Sequence, residues 1–238
     1  MTSHAILDSN THRDLRVASD PSADMGDGVM SCITFPDEFR RVQGEFPILF
    51  RMDAARENFH ALAMFGFEQG ENLFLDNGKW DAAYRPLALS IQPFLIGRNP
   101  DGEGPGQVHV DMEHPRANAA EGTRVFDEDG RPTPYLEGIA EQLGAVDQGY
   151  RGQDAFFAAL KRHELLEPFT LEITLADGAK NNLVGFHIID EAKLQALDGE
   201  AVAELHAEGH LMPIFMALAS LSQIGELVAR KNRREGHI

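Results

Sequence analysis

Cysteine is almost absent from this chain, since Cys32 is the single one among 238 residues. One cysteine cannot form an intrachain disulfide, which excludes a small secreted domain stabilised by disulfides. The N-terminal segment also lacks the apolar core of a signal peptide. We therefore expect the protein to be cytoplasmic.

Positive charge is scarce as well, because 21 Lys and Arg residues face 38 Asp and Glu residues, which gives a net charge of −17. Binding to nucleic acid or to anionic membrane surfaces needs clustered Lys and Arg, so neither is expected as a partner. Long apolar runs are missing too, since the longest, at 211–221, has about half of the ~20 residues that cross a bilayer. This composition predicts a soluble, acidic protein that is not inserted into a membrane.

Complete catalytic motifs are also lacking. The chain has no Gly-x-Ser-x-Gly nucleophile elbow, and no cofactor is expected. The nearest approach to a metal site is the pair His109 and Asp111, whose His-x-Asp spacing is that of the non-haem iron facial triad. His163, His187 or His210 would supply the third ligand. This pattern leaves an iron-dependent oxygenase-like enzyme open as an alternative, so enzymatic activity stays undecided by the sequence.

The chain does show hydrophobic periodicity, which indicates where its strands and helices lie. Apolar runs of strand length dominate before residue 115, and helical spacing dominates after it. Residues 171–175 alternate apolar with polar, and Asp177-Gly178 turns this strand into another at 183–189, which predicts a hairpin. Apolar stripes predict helices at 133–144 and 211–228. We expect an α+β fold, with a mixed or antiparallel sheet from the N-terminal half and the 170–189 hairpin, packed by C-terminal helices.

The sequence also indicates how the chain is divided into an N-terminal arm and a domain. Residues 1–30 are polar and predict a loosely ordered N-terminal arm, followed by a single domain over residues 31–238. Glycine and proline fill 98–106, which predicts a loop. The basic cluster near the C-terminus is expected to follow the dipole of the last helix; its members are Arg230, Lys231, Arg233 and Arg234.

The most informative segment lies between Asn72 and Pro86. Its Asn77-Gly78 dipeptide suits a two-residue hairpin turn, because both positions tolerate positive φ. The only tryptophan follows this turn, with charged and aromatic residues beside it, and such residues anchor binding pockets and interfaces. The candidate binding residues are Asn72, Trp80, Asp81, Tyr84 and Arg85.

Short stretches spread between about residue 15 and residue 228 carry a family resemblance. They are FPILF at 46–50, NLF at 72–74, GKWDAAY at 78–84, PF at 93–94, PTPYL at 132–136, GFHIIDE at 185–191 and LASL at 218–221. In order and spacing they resemble the SapC family of bacterial proteins. A peptide-transporter permease shares the short name, but it is a different protein because it needs transmembrane segments.

The name of the SapC family comes from its association with a surface-array locus. No reaction is established for the family, so the resemblance implies no particular enzymatic activity. Similar genes lie near those of TonB-dependent receptors, flavin-dependent halogenases and cupin-like proteins, which implies a role in a bacterial uptake or modification pathway. The chain departs from the family pattern at Ser90-Ile91-Gln92, where relatives have basic and aromatic residues before the Pro-Phe pair.

These observations predict a non-enzymatic cytoplasmic accessory protein that binds a partner protein or a small ligand. A surface-layer assembly factor is a further alternative to the oxygenase-like enzyme. The apolar face of the last helix is either core or interface, which leaves a homodimer open.

Overall fold

The computed structural model describes residues 4–55, 57–97 and 106–236, so most of the predicted loop at 98–106 lies outside the described residues. The strands are β1 (His4–Ile6), β2 (Arg16–Val17), β3 (Ser31–Thr34), β4 (Ile48–Met52), β5 (Phe59–Met64), β6 (Leu75–Asp76), β7 (Lys79–Trp80), β8 (Phe94–Gly97), β9 (Gln107–Asp111), β10 (Thr123–Arg124), β11 (Leu166–Thr174) and β12 (Lys180–Ile189). The helices are α1 (Phe39–Val42), α2 (Leu87–Ser90), α3 (Pro134–Arg162), α4 (Glu191–Gln195), α5 (Gly199–Ala207), α6 (Leu211–Ser220) and α7 (Gln223–Arg234). The predicted α+β class is confirmed.

Two compact units divide the chain. The first consists of Met1–Gly28, Leu75–Trp80 and Leu87–Gln148, and the second of Val29–Phe74, Asp81–Pro86 and Gly149–Ile238. Residues 4–28 contribute β1 and β2 to the first unit. The arm at 1–30 and the single domain over 31–238 stay predictions.

The first unit is built from small antiparallel sheets. β9 lies between β1 and β8, β10 pairs with β2, and β6 pairs with β7. The predicted hairpin turn between β6 and β7 is confirmed, with φ of 48° at Asn77 and 76° at Gly78. One cluster of apolar side chains forms the core between these strands and α3, and it buries Leu15, Val17, Phe94, Val110, Val125, Phe126, Leu136, Ile139 and Leu143.

A buried ion pair also stabilises the first unit. The Arg116 guanidinium donates to the Asp27 carboxylate, and the two side chains are 1% and 0% exposed. The same guanidinium donates to the carbonyl oxygens of Ala18 (2.7 Å) and Asp20 (3.1 Å), while Asp27 accepts a hydrogen bond from the Ser22 N–H at 2.8 Å. Arg116 therefore ties together chain segments that have almost no regular secondary structure.

A five-stranded antiparallel sheet forms the second unit, in the order β11-β12-β4-β5-β3. β11 and β12 are the predicted hairpin, and β3, β4 and β5 come from the N-terminal half of the chain. α6 contacts β4 and β12, and α1 and α5 contact α6. The predicted arrangement of this sheet and its covering helices is therefore confirmed.

Phenylalanine rings fill the core of the second unit. Phe39 on α1 packs against Phe50 on β4 (6.5 Å between ring centroids) and against Phe156 on α3 (6.0 Å). Phe46 packs against Phe65 and Phe74 at 5.2 and 4.7 Å. Edge-to-face pairs of this kind stabilise a core beyond the burial of their area.

The long helix α3 corrects one prediction, since we expected a helix that ends at Gly144. Instead, α3 continues to Arg162. Gly149 permits a close approach, because a Cβ there would lie 2.7 Å from the Cγ of Phe35. Buried residues further along, such as Phe156 and Leu160, continue the apolar stripe. Packing of these side chains outweighs the low helix propensity of glycine, which is about 1 kcal/mol per residue.

The C-terminal helix corrects another prediction, because residues 211–228 form two helices rather than one. The Ser220 hydroxyl donates to the Ala217 carbonyl (2.6 Å) and accepts from the Ile48 N–H (2.9 Å). The Ser222 hydroxyl donates to the Ala219 carbonyl at 2.8 Å. Serine hydroxyls that bond to the preceding turn compete with the helical hydrogen bonds, so α6 ends at Ser220.

The stretch Leu211–Arg234 also bears on membrane insertion. In the part of the chain that the structure describes, one helical stretch, Leu211–Arg234, is both long enough and apolar enough to cross a membrane. This statement rests on length and composition alone. The expectation that no apolar stretch reaches this length is therefore wrong. Length and hydropathy do not separate a membrane span from a core helix, and α6 buries Ile214, Met216 and Ala217 while it contacts the sheet.

Candidate functional site

The five predicted binding residues are divided between the two compact units. Asn72, Asp81, Tyr84 and Arg85 belong to the second unit, and Trp80 ends the β6–β7 hairpin of the first. Asn72 is buried, Asp81 is exposed, and the other three are partly buried. The site described below is therefore built from the second unit alone, around residues 81–86, which we name the Tyr84 loop.

Tyr84 holds the centre of this loop through a buried carboxylate. Its hydroxyl donates to Oε1 of Glu38 at 2.7 Å. The Thr34 hydroxyl donates to Oε2 of the same carboxylate, also at 2.7 Å. Glu38 is 5% exposed, and a buried carboxylate needs such donors because desolvation without them is costly.

Burial, followed by the hydrogen bond to Glu38, raises the pKa of Tyr84 above its usual value. The side chain therefore stays a neutral phenol at pH 7 and keeps its proton for Glu38. The Arg41 guanidinium lies over the Tyr84 ring, 5.6 Å from its centroid, and Arg41 is exposed. The result is a half-buried aromatic ring beside an exposed cation.

The backbone of the Tyr84 loop is fixed as well. The N–H of Ala83 donates to the Glu45 carboxylate at 3.1 Å. The N–H of Asp81 donates to the carbonyl of Phe74 at 2.8 Å. Pro86 closes the loop and is buried. These contacts hold an irregular segment in one conformation.

Basic side chains near the C-terminal end of α7 bind the segment that leads into the Tyr84 loop. Arg234 donates to the Asn72 carbonyl at 2.7 Å, and Arg230 donates to the Asp81 carboxylate at 2.6 Å. Arg230 also lies over the ring of Phe74, 4.3 Å from its centroid. The sequence predicted these arginines only as partners of the helix dipole, whereas their main contacts are to the candidate site.

Lys231 completes this attachment from a nearly buried position, with 8% of its side chain exposed. Its ammonium lies 2.6 Å from the Glu71 carboxylate, 3.0 Å from Glu235 and 3.3 Å from Glu68. Burial alone would lower the pKa of Lys231, but the hydrogen bonds to Glu71 and Glu235 outweigh it and raise the pKa. Lys231 is therefore charged at pH 7.

The contacts of Asn72 and Asp81 stabilise the fold around the Tyr84 loop. The Asn72 side chain accepts the N–H of Phe74 at 3.0 Å, and its carbonyl is held by Arg234. Asp81 is an exposed partner of Arg230. Tyr84 is half-buried, and Arg41 is exposed beside its ring. Sequence reasoning missed Glu38, because nothing in the local pattern distinguishes it from its exposed neighbour Asp37.

The predicted metal site around His109 and Asp111 is not assembled in the described residues. Both lie on β9, two residues apart, and the His109 ring lies directly above Gly97 of the neighbouring strand, where no side chain would fit. Within residues 4–55, 57–97 and 106–236, no group of three His, Cys, Asp or Glu side chains is placed to hold a metal ion. In the described residues, the alternative of an iron site at His109 and Asp111 therefore has no third ligand beside the pair.

Cys32 is not suited to act as a nucleophile. Burial, and then the charge of Glu38, raises the pKa of its thiol well above the usual value. Because the thiolate is the reactive species, each unit of pKa lowers the reaction rate about tenfold at a given pH. We expect a thiol reagent at pH 8 to label native protein at least about tenfold more slowly than urea-unfolded protein. Equal rates, with free glutathione as the reagent control, would contradict this assignment.

The fold and the site define an α+β protein with a firmly held loop, where a half-buried tyrosine lies beside an exposed arginine. The family model of SapC matches residues 7–227, which is most of the chain. The chain therefore belongs to the SapC family, and the resemblance is confirmed. No curated protein matches the chain, and no solved structure matches it.

Proposed function

We propose that this SapC-family protein is a non-enzymatic accessory protein that binds a partner protein in the bacterial cytoplasm, as part of an uptake or modification pathway. The observation that carries the proposal is the surface formed by Arg41 and the ring of Tyr84. Tyrosine and arginine are among the residue types that contribute most to protein interfaces.

Preorganisation supports the same proposal. Binding is weakened when loops and side chains must be ordered on association, by about 0.5–1.5 kcal/mol for each immobilised side chain. In the Tyr84 loop this ordering is already complete, since Glu38 fixes the tyrosine hydroxyl and Glu45 fixes the backbone at Ala83. A partner can therefore dock on this surface without rearranging it.

The test compares two neighbouring arginines of α1. Arg40 and Arg41 are both exposed, but Arg41 is the one over the Tyr84 ring. We expect Arg41→Ala to reduce capture of the specific partner from a bacterial lysate about tenfold, because removing an interface arginine costs on the order of 1–2 kcal/mol. Arg40→Ala is the matched control and should capture the partner as the wild type does.

Purified components then make the comparison quantitative. The partner that the wild type and Arg40→Ala retain is expressed alone, and its Kd is measured for all three proteins by calorimetry. An unchanged Kd for Arg41→Ala would contradict the proposed surface. Failure of the wild type to retain any partner would contradict the function itself.

A further inference from the structure

A surface cavity of about 310 Å³ lies in the second unit, and none of its lining residues belongs to the Tyr84 loop. One wall comes from Met52 and residues 57–59, and the other comes from the second half of α3. Ligand sites in proteins have volumes of about 300–1,000 Å³, so the cavity fits a small metabolite. It is lined by Met52, Glu57, Asn58, Phe59, Asp154, Phe157, Ala158 and Lys161.

Two aromatic rings form the apolar wall of this cavity. Phe59 and Phe157 stack with their planes 28° apart and their centroids 6.3 Å apart. The His187 ring supports Phe59 edge-on at 4.9 Å, and Phe50 supports Phe157 at 6.0 Å. Burial lowers the pKa of His187, so at pH 7 this support is a neutral ring. The aromatic wall is therefore held in place before any ligand arrives.

Charged side chains stand around this wall without protein partners. Among the described residues, the Glu57 and Asp154 carboxylates and the Lys161 ammonium make no ion pair or hydrogen bond, and all three are exposed. The Glu57 backbone is nevertheless fixed, because its N–H donates to the Asp53 carboxylate at 2.9 Å. This differs from α7, where Arg230 and Lys231 are each paired with carboxylates.

We propose that this cavity binds a small organic cation, namely an amine on a flat apolar body. The two phenylalanine rings take the apolar part, and their faces attract a cation. Among the described lining residues, the carboxylates of Glu57 and Asp154 outnumber the ammonium of Lys161, so their charge favours an ammonium ligand over a carboxylate ligand. This site is independent of the partner surface at Arg41 and Tyr84.

Probes of equal ring size test the charge preference. Phenethylamine carries an ammonium, and 3-phenylpropionate carries a carboxylate on a similar chain. In ligand-observed NMR titrations of the full chain at pH 7, we expect saturable binding of phenethylamine, at least about tenfold tighter than that of 3-phenylpropionate. Absence of saturable phenethylamine binding, or equal affinity for both probes, would overturn the proposal.

Two exposed alanines of α3 provide a matched test of location. Ala158 lines the cavity, whereas Ala155 is exposed on the same helix and does not line it. Leucine is a good helix former, so neither Ala158→Leu nor Ala155→Leu should disturb α3. The first should lose phenethylamine binding and the second should retain it. Binding that survives in Ala158→Leu would place the probe elsewhere and overturn the site.

Neutral variants identify the groups that select the cation. Asp154→Asn and Glu57→Gln should each weaken phenethylamine binding about three- to tenfold, in line with a partly exposed charge contact. Lys161→Gln should leave it unchanged or stronger. Glu141→Gln is the control, since Glu141 is exposed on α3 and lies outside the cavity lining. Loss of affinity in Lys161→Gln alone would show an anion site and overturn the proposed ligand class.

Discussion

Replacing Arg116 with alanine is expected to lower the free energy of unfolding by about 3–5 kcal/mol, the range for breaking a buried ion pair from one side. The variant leaves the Asp27 carboxylate, which is 0% exposed, without its cationic partner. It also removes the donors that reach the carbonyls of Ala18 and Asp20. Both losses fall on segments of the first unit that lack a regular ladder of backbone hydrogen bonds.

Urea unfolding checks this prediction. The single tryptophan, Trp80, lies in the first unit, so its fluorescence reports on the unit that the variant affects. Arg131→Ala is the matched control, because Arg131 and Asp129 form an ion pair whose side chains are 76% and 72% exposed. We expect this control to change the free energy by less than about 0.5 kcal/mol. Equal losses of unfolding free energy in the two variants would show that the buried ion pair stabilises the protein no more than the exposed one, and would contradict the prediction.

Replacing Phe74 with alanine is expected to cost about 3–5 kcal/mol as well, the range for removing a buried phenylalanine ring. Phe74 is 1% exposed. Its ring fills the space between Phe46, at 4.7 Å, and the guanidinium of Arg230, at 4.3 Å. The substitution leaves a cavity at the point where α7 holds the segment that leads to the Tyr84 loop.

The thiol of Cys32 offers a probe of this second prediction, because it belongs to the second unit. The rate of thiol labelling, measured as a function of urea concentration, should show that Phe74→Ala unfolds at a lower urea concentration than the wild type. Circular dichroism should show the same shift. The control is Phe215→Ala, since Phe215 is 53% exposed on α6 and its removal should cost less than about 0.5 kcal/mol. A transition for Phe74→Ala that coincides with that of the control would contradict the packing described here.

The sheet of the second unit could be predicted because its signals are local. Alternation at 171–175, a turn at Asp177-Gly178 and short apolar runs before residue 115 each indicate a strand by themselves. The strands β11, β12, β4, β5 and β3 pair in one antiparallel sheet, whereas β8 and β9, which also come from apolar runs before residue 115, pair with β1 in a separate sheet. The N-caps of the helices that follow are local as well, since the carboxylates of Asp190 and Asp198 accept the N–H groups of Lys193 and Ala201.

The errors arise where distant residues decide the structure. Gly144 was expected to end a helix, but the apolar residues that follow it keep α3 intact through tertiary packing. The helix over 211–228 was expected to be continuous, but it ends where the Ser220 hydroxyl accepts a hydrogen bond from the N–H of Ile48, on another element. The hydrogen bond from Ile48 cannot be read from the pattern within the last helix.

The candidate site was predicted in the same uneven way. Residues between Asn72 and Arg85 stand out in the sequence, because tryptophan, tyrosine and a turn cluster there. Their partners are remote in the chain: Glu38 precedes Tyr84 by 46 residues, and Arg230 follows Asp81 by 149. The sequence therefore showed where the segment lies but not that α7 secures it or that a buried carboxylate fixes its tyrosine.

The most direct test of partner binding is amide hydrogen exchange of the protein with and without the partner that it captures. We predict that exchange slows in the Tyr84 loop, residues 81–86, and in α1, which carries Arg41. The same protection should be absent when Arg41→Ala is mixed with the partner at the same concentration. Protection confined to other segments, such as the β11–β12 hairpin, or equal protection in Arg41→Ala, would contradict the account.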